Sequence, residues 1–195
     1  PVNDNAPVIT SDGGGATAAV NVAENQTAVT TVTASDADLP TQTLTYSLSG
    51  GADAALFSIN AATGVLTFNS APNFEAPADA GSNNVYDVTV QVADGNGGTD
   101  TQAIAVTVTN VNEAPVITSG AAVSAAENQT AVTMLTSSDV DGGAPSYSIV
   151  GGADAALFAI DGATGALTFV TAPDFESPAD AGTDNIYDVT VQVAD

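Results

Sequence analysis

The chain has 195 residues and a formal net charge of −23, and it contains no Lys, Arg, His, Cys or Trp. Because nucleic acids and anionic membranes are bound through cationic side chains, this composition excludes both as direct partners. It also argues against zinc and iron–sulfur sites, whose usual ligands are His and Cys. No apolar run reaches the ~18 residues of a membrane span, so membrane insertion is not expected.

The absence of cysteine has two interpretations. One is a cytosolic protein without use for thiols, and the other is a secreted protein stabilised by metal ions instead of disulfides. The acid excess favours the second, because a chain whose carboxylates repel one another and which has no internal cations must take cations from solution.

Short segments with a two-residue apolar period follow one another along the first half of the chain, and this alternation predicts β-strands with one buried face. Phe57 and Ile59, then Leu66 and Phe68, flank a turn over residues 60–64, which predicts a hairpin with Gly64 at the turn. No segment has a sustained helical period. The apolar residues predicted to form the core are Val22, Val29, Val32, Leu44, Tyr46, Leu48, Phe57, Leu66, Phe68, Phe74, Val88, Val90, Val92, Ile104 and Val106.

Three segments of the first half recur unchanged in the second: residues 23–30 at 126–133, 50–57 at 151–158, and 86–94 at 187–195. About seven short strands in each copy predict an all-β fold of two tandem Greek-key sandwiches of the immunoglobulin-like type, end to end. We expect residues 1–5 to end a preceding linker, 6–109 to form the first repeat, 110–114 the linker, and 115–195 the second repeat.

The second repeat stops at Asp195, the counterpart of Asp94, so a counterpart of the predicted last strand over residues 102–109 is missing. In the parent protein we expect that strand to follow directly. A bolder hypothesis is that a neighbouring molecule donates it, since a sandwich without its last strand exposes an edge.

Oxygen-bearing side chains gather in the linker over residues 110–115 and in the similar opening stretch over residues 2–7. Glutamate is confined to Glu24, Glu75, Glu113, Glu127 and Glu176. Two Asp-x-Asp pairs, at 36/38 and 139/141, follow the second predicted strand of each repeat. Carboxylates two residues apart converge on one cation once the loop curls, and such oxygens are ligands for calcium.

The motifs Ala-Glu-Asn, Asp-Ala-Asp, Asn-Phe-Glu, Val-Ala-Asp and Asn-Asp-Asn-Ala-Pro occur in the order and at the rough spacing of a cadherin repeat, and closely related motifs follow in the second half. Nearly all of the chain thus resembles two tandem cadherin-like domains of the kind found in large bacterial surface proteins. The resemblance implies calcium at the junction of the repeats, locking the two sandwiches end to end.

By motif position, the resemblance implies three groups of junction ligands. They are Glu24, Asn73 and Glu75 of the first repeat; Asn110, Val111, Asn112, Glu113 and Ala114 of the linker, with Val111 and Ala114 acting through carbonyls; and Asp139, Asp141 and Asp195 of the second repeat. The charge is enough for three divalent ions. Because Asn73 and Asn110 stand where the family usually has aspartate, two ions remain an alternative.

Half-sites are expected at the chain ends. The upper one comprises Asn3, Asp4, Asp36, Asp38 and Asp94, and the lower one Glu127, Asp174 and Glu176. The remaining aspartates are interpreted as solubilising charge, with Asp79 and Asp180 as the foremost exceptions. Catalysis is not expected without His, Lys or Cys, although residue types alone leave a two-carboxylate glycosidase open.

These features together predict an extracellular, secreted or cell-surface protein with a structural or adhesive role and no enzymatic activity. Its expected partners are calcium and neighbouring repeats or copies of itself. The alternative function is a module that binds carbohydrate, another cell surface or its own copies; the lack of Trp argues against stacking on glycans.

Overall fold

The computed structural model describes residues 5–195, which form two compact units. The first unit ends at Val111 and the second is Asn112–Asp195. The strands of the first unit are β1 (Val8–Ile9), β2 (Thr17–Ala23), β3 (Ala28–Thr31), β4 (Ala34–Ser35), β5 (Thr45–Gly50), β6 (Phe57–Ile59), β7 (Val65–Phe68), β8 (Val85–Ala93) and β9 (Thr99–Thr109). Those of the second are β10 (Val116–Ile117), β11 (Ala131–Met134), β12 (Ser137–Ser138), β13 (Ser146–Gly151), β14 (Phe158–Ile160), β15 (Ala166–Phe169) and β16 (Thr190–Ala194).

The first unit is a sandwich of two main sheets. A four-stranded sheet has the order β2-β9-β8-β5, a three-stranded sheet has the order β3-β7-β6, and β1 pairs with β4. The 11-residue strand β9 is antiparallel to β8 and parallel to β2, from Thr17 opposite Ala103 to Ala23 opposite Thr109. The all-β prediction is confirmed, but alternation alone did not show which strands pair, so the parallel contact was not foreseen.

The predicted hairpin is confirmed by β6 and β7, which are antiparallel around the turn at Gly64. Gly64 has φ +70°, and a Cβ there would collide with the carbonyl oxygen of Val32. Glycine is therefore required for two reasons: the backbone is left-handed here, and the carbonyl of Val32, the residue after β3, approaches too closely for a Cβ.

Most of the predicted core is buried in the first unit, and Val29, Leu44, Leu48 and Phe74 are partly buried against it. Tyr86 is buried as well, with its ring edge-on to Phe68 at 5.2 Å between centroids, and its hydroxyl accepts a hydrogen bond from the Ala78 N–H at 3.1 Å. Phe68 in turn stacks on Phe57 at 4.5 Å. This aromatic cluster joins the two sheets, because Phe57 and Phe68 lie in one and Tyr86 in the other.

The second unit repeats this plan with fewer strands. Its sheets are β11-β15-β14, β13-β16 and β10-β12. Phe158 stacks on Phe169 at 4.7 Å, and Tyr187 is edge-on to Phe169 at 5.0 Å. In the part of the chain that the structure describes, no strand pairs with β16 on the side where β9 pairs with β8.

Asp53, Asp79, Asp154 and Asp180 are buried aspartates that hold backbone segments in place. Asp53 is buried, and its two carboxylate oxygens accept hydrogen bonds from the N–H groups of Ala80 (2.7 Å) and Asp87 (2.8 Å). Asp154 does the same in the second unit, and Asp79 and Asp180 each hold a loop in this way. The interpretation of Asp53 and Asp154 as solubilising charge is therefore wrong, because their partners are backbone donors distant in sequence.

Among residues 5–195, no helix has the length and apolar character that crossing a membrane would require.

Candidate metal centre

Glu24 directly follows β2 and is 1% exposed. One carboxylate oxygen accepts a hydrogen bond from the Phe74 N–H (2.8 Å), and the other accepts one from the Val111 N–H (2.9 Å). Its own N–H donates to the Thr109 carbonyl at 3.0 Å. Glu24 thus connects the loop after β7 with the segment that follows β9. Two further predicted ligands are positioned by these contacts: Glu75, which follows Phe74, and Val111.

Glu75 lies beside Glu24, and each offers a carboxylate oxygen within 4.8 Å of the other. Both oxygens of Glu75 are buried, and neither has a hydrogen-bond partner. Because the chain has no Lys, Arg or His to pair with these oxygens, a cation from solution is the positive charge available to compensate them. The exposed Asn73 accepts a hydrogen bond from the Ala76 N–H with its side-chain oxygen (2.9 Å).

A second group of oxygens forms at one end of the second unit. Glu113 donates its N–H to Asp141 at 2.6 Å, and the Asp141 N–H donates to Asp139 at 2.9 Å. The Asn112 side-chain amide donates to the carboxylate of Asp195, the residue that follows β16. The predicted ligands Asn112, Glu113, Asp139, Asp141 and Asp195 are therefore brought together within this unit.

Four of the predicted linker ligands are exposed: Asn110, Val111, Asn112 and Ala114. The structure assigns Val111 a contact through its N–H group, to Glu24, which sequence reasoning did not anticipate. Coordination by the carbonyls of Val111 and Ala114 stays a prediction, as does a ligand role for Asn110.

The upper half-site of the first unit has the same arrangement as the start of the second. Asn5 donates to the buried Asp38 through its backbone N–H (3.2 Å) and its side-chain amide (2.7 Å), and the Asp38 N–H donates to Asp36 at 2.9 Å. One oxygen of Asp36 is buried without a hydrogen-bond partner. Asp94 is also buried and accepts hydrogen bonds from the N–H groups of Asn96 and Gly98.

Asn5 contacts a predicted ligand of this half-site but was not itself predicted. The signal was present, because Asn5-Ala-Pro aligns with Glu113-Ala-Pro, and Glu113 was already assigned. The other two residues predicted for this half-site, Asn3 and Asp4, lie outside the described residues.

The lower half-site of the second unit contains Glu127, Asp174 and Glu176, which offer carboxylate oxygens within 4.8 Å of one another. All three are exposed. The Phe175 N–H donates to Glu127 (3.0 Å), as the Phe74 N–H donates to Glu24 in the first unit. This hydrogen bond therefore recurs in both repeats, although Glu24 is buried and Glu127 is exposed.

Every side chain in these groups offers oxygen, and none offers nitrogen or sulfur as a ligand of a soft metal. An all-oxygen set rich in carboxylates fits a hard cation such as calcium. The buried, partnerless oxygens of Glu75 and Asp36 are the observations that fit such an ion most directly.

The site therefore consists of oxygen-rich groups at the ends of all-β sandwiches. Residues 18–111, which lie in the first unit, match the family described as Cadherin domain. Over these residues the first unit is similar to a cadherin domain, and the chain carries cadherin-like repeats. Calcium binding is typical of cadherin domains, which are structural and adhesive modules.

Solved structures of cadherins share this fold. The chain is similar to protocadherin gamma B2 extracellular cadherin domains 3–6 (25% identity, TM-score 0.52, 98% of this chain and 49% of that one). Human protocadherin-24 EC1-2 is 20% identical with a TM-score of 0.58, over 98% of this chain and 94% of that one. Mouse cadherin-23 EC22-24 is 19% identical with a TM-score of 0.55, over 98% and 65%. The last two similarities show the fold alone.

A prokaryotic protein matches a short part of the sequence. A stretch of 35 residues, 18% of this chain, is 60% identical to part of halomucin from Haloquadratum walsbyi. The match covers 0% of halomucin when rounded, so it links a segment of this chain to a very long protein.

Proposed function

We propose that this chain is a calcium-rigidified structural or adhesive segment of an extracellular prokaryotic surface protein or filament. The observation that carries the proposal is Glu75, whose two carboxylate oxygens are buried without a hydrogen-bond partner in a chain that has no cationic side chain. A divalent cation would compensate this charge, and Glu24 provides a second carboxylate within reach.

Predicted ion ligands occur in both units, close to the boundary between them along the chain. Val111 is held by Glu24 of the first unit, and the next residue, Asn112, is held by Asp195 of the second. The predicted ligands of the two units are therefore attached to consecutive residues of the chain. Two or three ions fit the six carboxylates of this set, which are those of Glu24, Glu75, Glu113, Asp139, Asp141 and Asp195.

Calcium would reversibly rigidify the linker. Without metal, carboxylates closer than the ~8 Å Debye length at physiological salt repel one another. Extracellular modules bind calcium with a Kd of about 10⁻⁴–10⁻³ M, so the linker would be ordered outside a cell and loosened by chelation. The residues in this role bind and position the ion, and no catalytic step is proposed.

The extracellular setting is supported by the cadherin family match and by the similarity to halomucin. Neighbouring repeats, or copies of the same chain, are the partners that this role requires.

The test is a calcium titration of the Tm in the intact chain, since a ligand that binds the folded form raises the Tm. We expect the rise to be reduced in Glu75→Gln, which removes the charge of the buried carboxylate. Asp87→Asn is the matched control, because it removes the same charge at an exposed position on β8.

Equal calcium responses in the native chain, Glu75→Gln and Asp87→Asn would contradict the proposal. Binding to glycans that survives complete calcium removal would instead favour the alternative of a carbohydrate-binding module.

A further inference from the structure

The turn between β2 and β3 carries a short motif that the proposed ion site does not use. Residues 25–27 have the sequence Asn-Gln-Thr, and residues 128–130 repeat it in the second unit. Asparagine followed two residues later by threonine or serine is the acceptor motif for N-linked glycans. The chain has 14 asparagines, and the other 12 have neither residue at that position. The motif therefore selects the same turn in both repeats.

The first unit presents this turn to solvent even though β9 completes its sheet. Asn25, Gln26 and Thr27 are all exposed, whereas Glu24 immediately before them is 1% exposed. Because a glycan is bulky and hydrated, its acceptor side chain has to lie on the surface of the folded protein. The turn of the first unit meets this requirement.

Two hydrogen bonds to segments distant in sequence hold the backbone of the turn. The Asn25 N–H donates to the Pro72 carbonyl at 3.0 Å, and the Thr27 carbonyl accepts from the Phe68 N–H at 2.8 Å. The second unit has both bonds at the equivalent residues. These backbone groups are thus used within the fold, while the side chains of the motif remain on its surface.

The backbone conformation of the turn does not by itself require asparagine. Asn25 has φ +63°, a left-handed conformation that the chain also gives to Asp12 and Ser82. Asn84 has φ +62° as well, but there the side-chain amide donates to the Phe74 carbonyl at 2.8 Å, which explains the choice of asparagine.

The hydroxyl of the motif is not used by the fold either. The Thr27 hydroxyl forms no hydrogen bond with another residue of the described part of the chain. In the second unit, neither the Thr130 hydroxyl nor the Asn128 side-chain amide forms one within residues 5–195. Fold contacts therefore leave the threonine side chain unexplained, and this is the side chain that an N-glycan acceptor requires.

We propose that Asn25 and its counterpart Asn128 are acceptor sites for N-linked glycans, with a lipid-linked oligosaccharide as the donor. The side-chain amide nitrogen attacks the anomeric carbon of the donor sugar and forms a C–N bond, while the bond from that carbon to the donor's phosphate oxygen breaks. The lipid phosphate leaves with the bonding electron pair, and the amide gives one proton to a base of the transferase. The modification shares the extracellular setting of the proposed function but needs none of its ions.

The test incubates the folded, intact chain with an oligosaccharyltransferase and a lipid-linked oligosaccharide, and reads the product by intact mass and peptide mapping. We expect the mass to rise by two glycans, one on Asn25 and one on Asn128. A free peptide of residues 21–31 is the positive control for the enzyme. Thr27→Val keeps the shape of an exposed side chain but removes its hydroxyl, so this variant should lose the glycan on Asn25 and retain the one on Asn128.

Thr27→Ser is the matched control, because it restores the hydroxyl and should carry both glycans. Circular dichroism of both variants checks that the fold is kept. Transfer to the peptide but not to the folded chain would overturn the proposal, since the turn would then not present its asparagine. A glycan on Asn25 in Thr27→Val, or glycans on hydroxyl side chains instead of asparagine, would also overturn it. The Tm titration with calcium uses the unmodified chain, so the ions and the glycans are tested separately.

Discussion

Individual carboxylates in this chain do three different things, and their surroundings decide which. Asp53 and Glu24 accept backbone hydrogen bonds, Glu75 is buried without a partner, and Asp87 is exposed on a strand. Sequence reasoning assigned Glu24 and Glu75 as ion ligands from their motifs, which stays a prediction. It misjudged Asp53, because an aspartate in a loop normally indicates a solvated turn. Its partners, Ala80 and Asp87, are too distant in sequence to be inferred.

The structure predicts a pH dependence for Asp161, which lies in the turn between β14 and β15 and accepts hydrogen bonds there. Hydrogen bonds from Thr164, through its N–H and side chain, and from the Ala163 N–H hold the pKa of the Asp161 carboxyl below its usual value. A depressed folded-state pKa contributes stability that is present above the unfolded pKa and is lost as pH falls through the folded one. The turn should therefore loosen below about pH 4.

The matched variant is Asp161→Asn, because the first unit has Asn60 at this position and it accepts the same two backbone hydrogen bonds. We expect the variant to keep the turn at neutral pH and to lose its acid dependence. The measurement is an NMR pH titration of the Ala163 and Thr164 amides. An unchanged titration in Asp161→Asn would contradict the assignment to this carboxyl.

At the scale of elements, the buried aspartates form hydrogen bonds between turns, loops and strands that the pairing of strands within the sheets does not connect. Asp53 precedes the short 3-10 turn Ala54–Leu56 and joins it to Ala80 in a loop and to Asp87 on β8. The strands themselves were predictable from alternation, since β-branched and aromatic residues at every second position favour one buried face. The parallel pairing of β2 with β9 was not, because alternation identifies a face and not a neighbour.

Replacing Asp53 tests this connection. Asp53→Ala leaves two backbone N–H donors without their acceptor, and we expect it to lower the free energy of unfolding of the first unit by about 3 kcal/mol. Asp53→Asn keeps one acceptor oxygen and should cost less. Chemical denaturation of the native chain and of both variants, carried out in the presence of chelator, measures these changes in the free energy of unfolding. Equal stability of Asp53→Ala and the native chain would show that the bonds to Ala80 and Asp87 are dispensable.

At the scale of the whole molecule, the sequence repeat predicts two repeats with a linker over residues 110–114, and the boundary between the two compact units falls after Val111. The acidic composition and the ordered motifs also indicated which ends carry the proposed ion ligands. The contribution of Asn5 was missed, because its role depends on a hydrogen bond to Asp38 and not on a charge.

The prediction at this scale concerns the linker. Chelation should release the proposed ions and change the maximum dimension measured by small-angle scattering, because the carboxylates on either side of the linker would repel one another. Readdition of calcium should restore the original value, and the same concentration of magnesium should do so poorly, since magnesium demands a stricter octahedral geometry. A maximum dimension that is indifferent to chelator would contradict calcium rigidification.

The parallel pairing of β2 with β9 has a mechanical consequence. β2 lies near the start of the first unit and β9 at its end, so tension applied through the two ends of the chain pulls these strands in opposite directions along their length. Their rungs from Thr17 to Ala23 are then sheared together instead of being unzipped one at a time. A repeat built in this way resists stretching cooperatively, which suits a segment anchored on one side and pulled from the other.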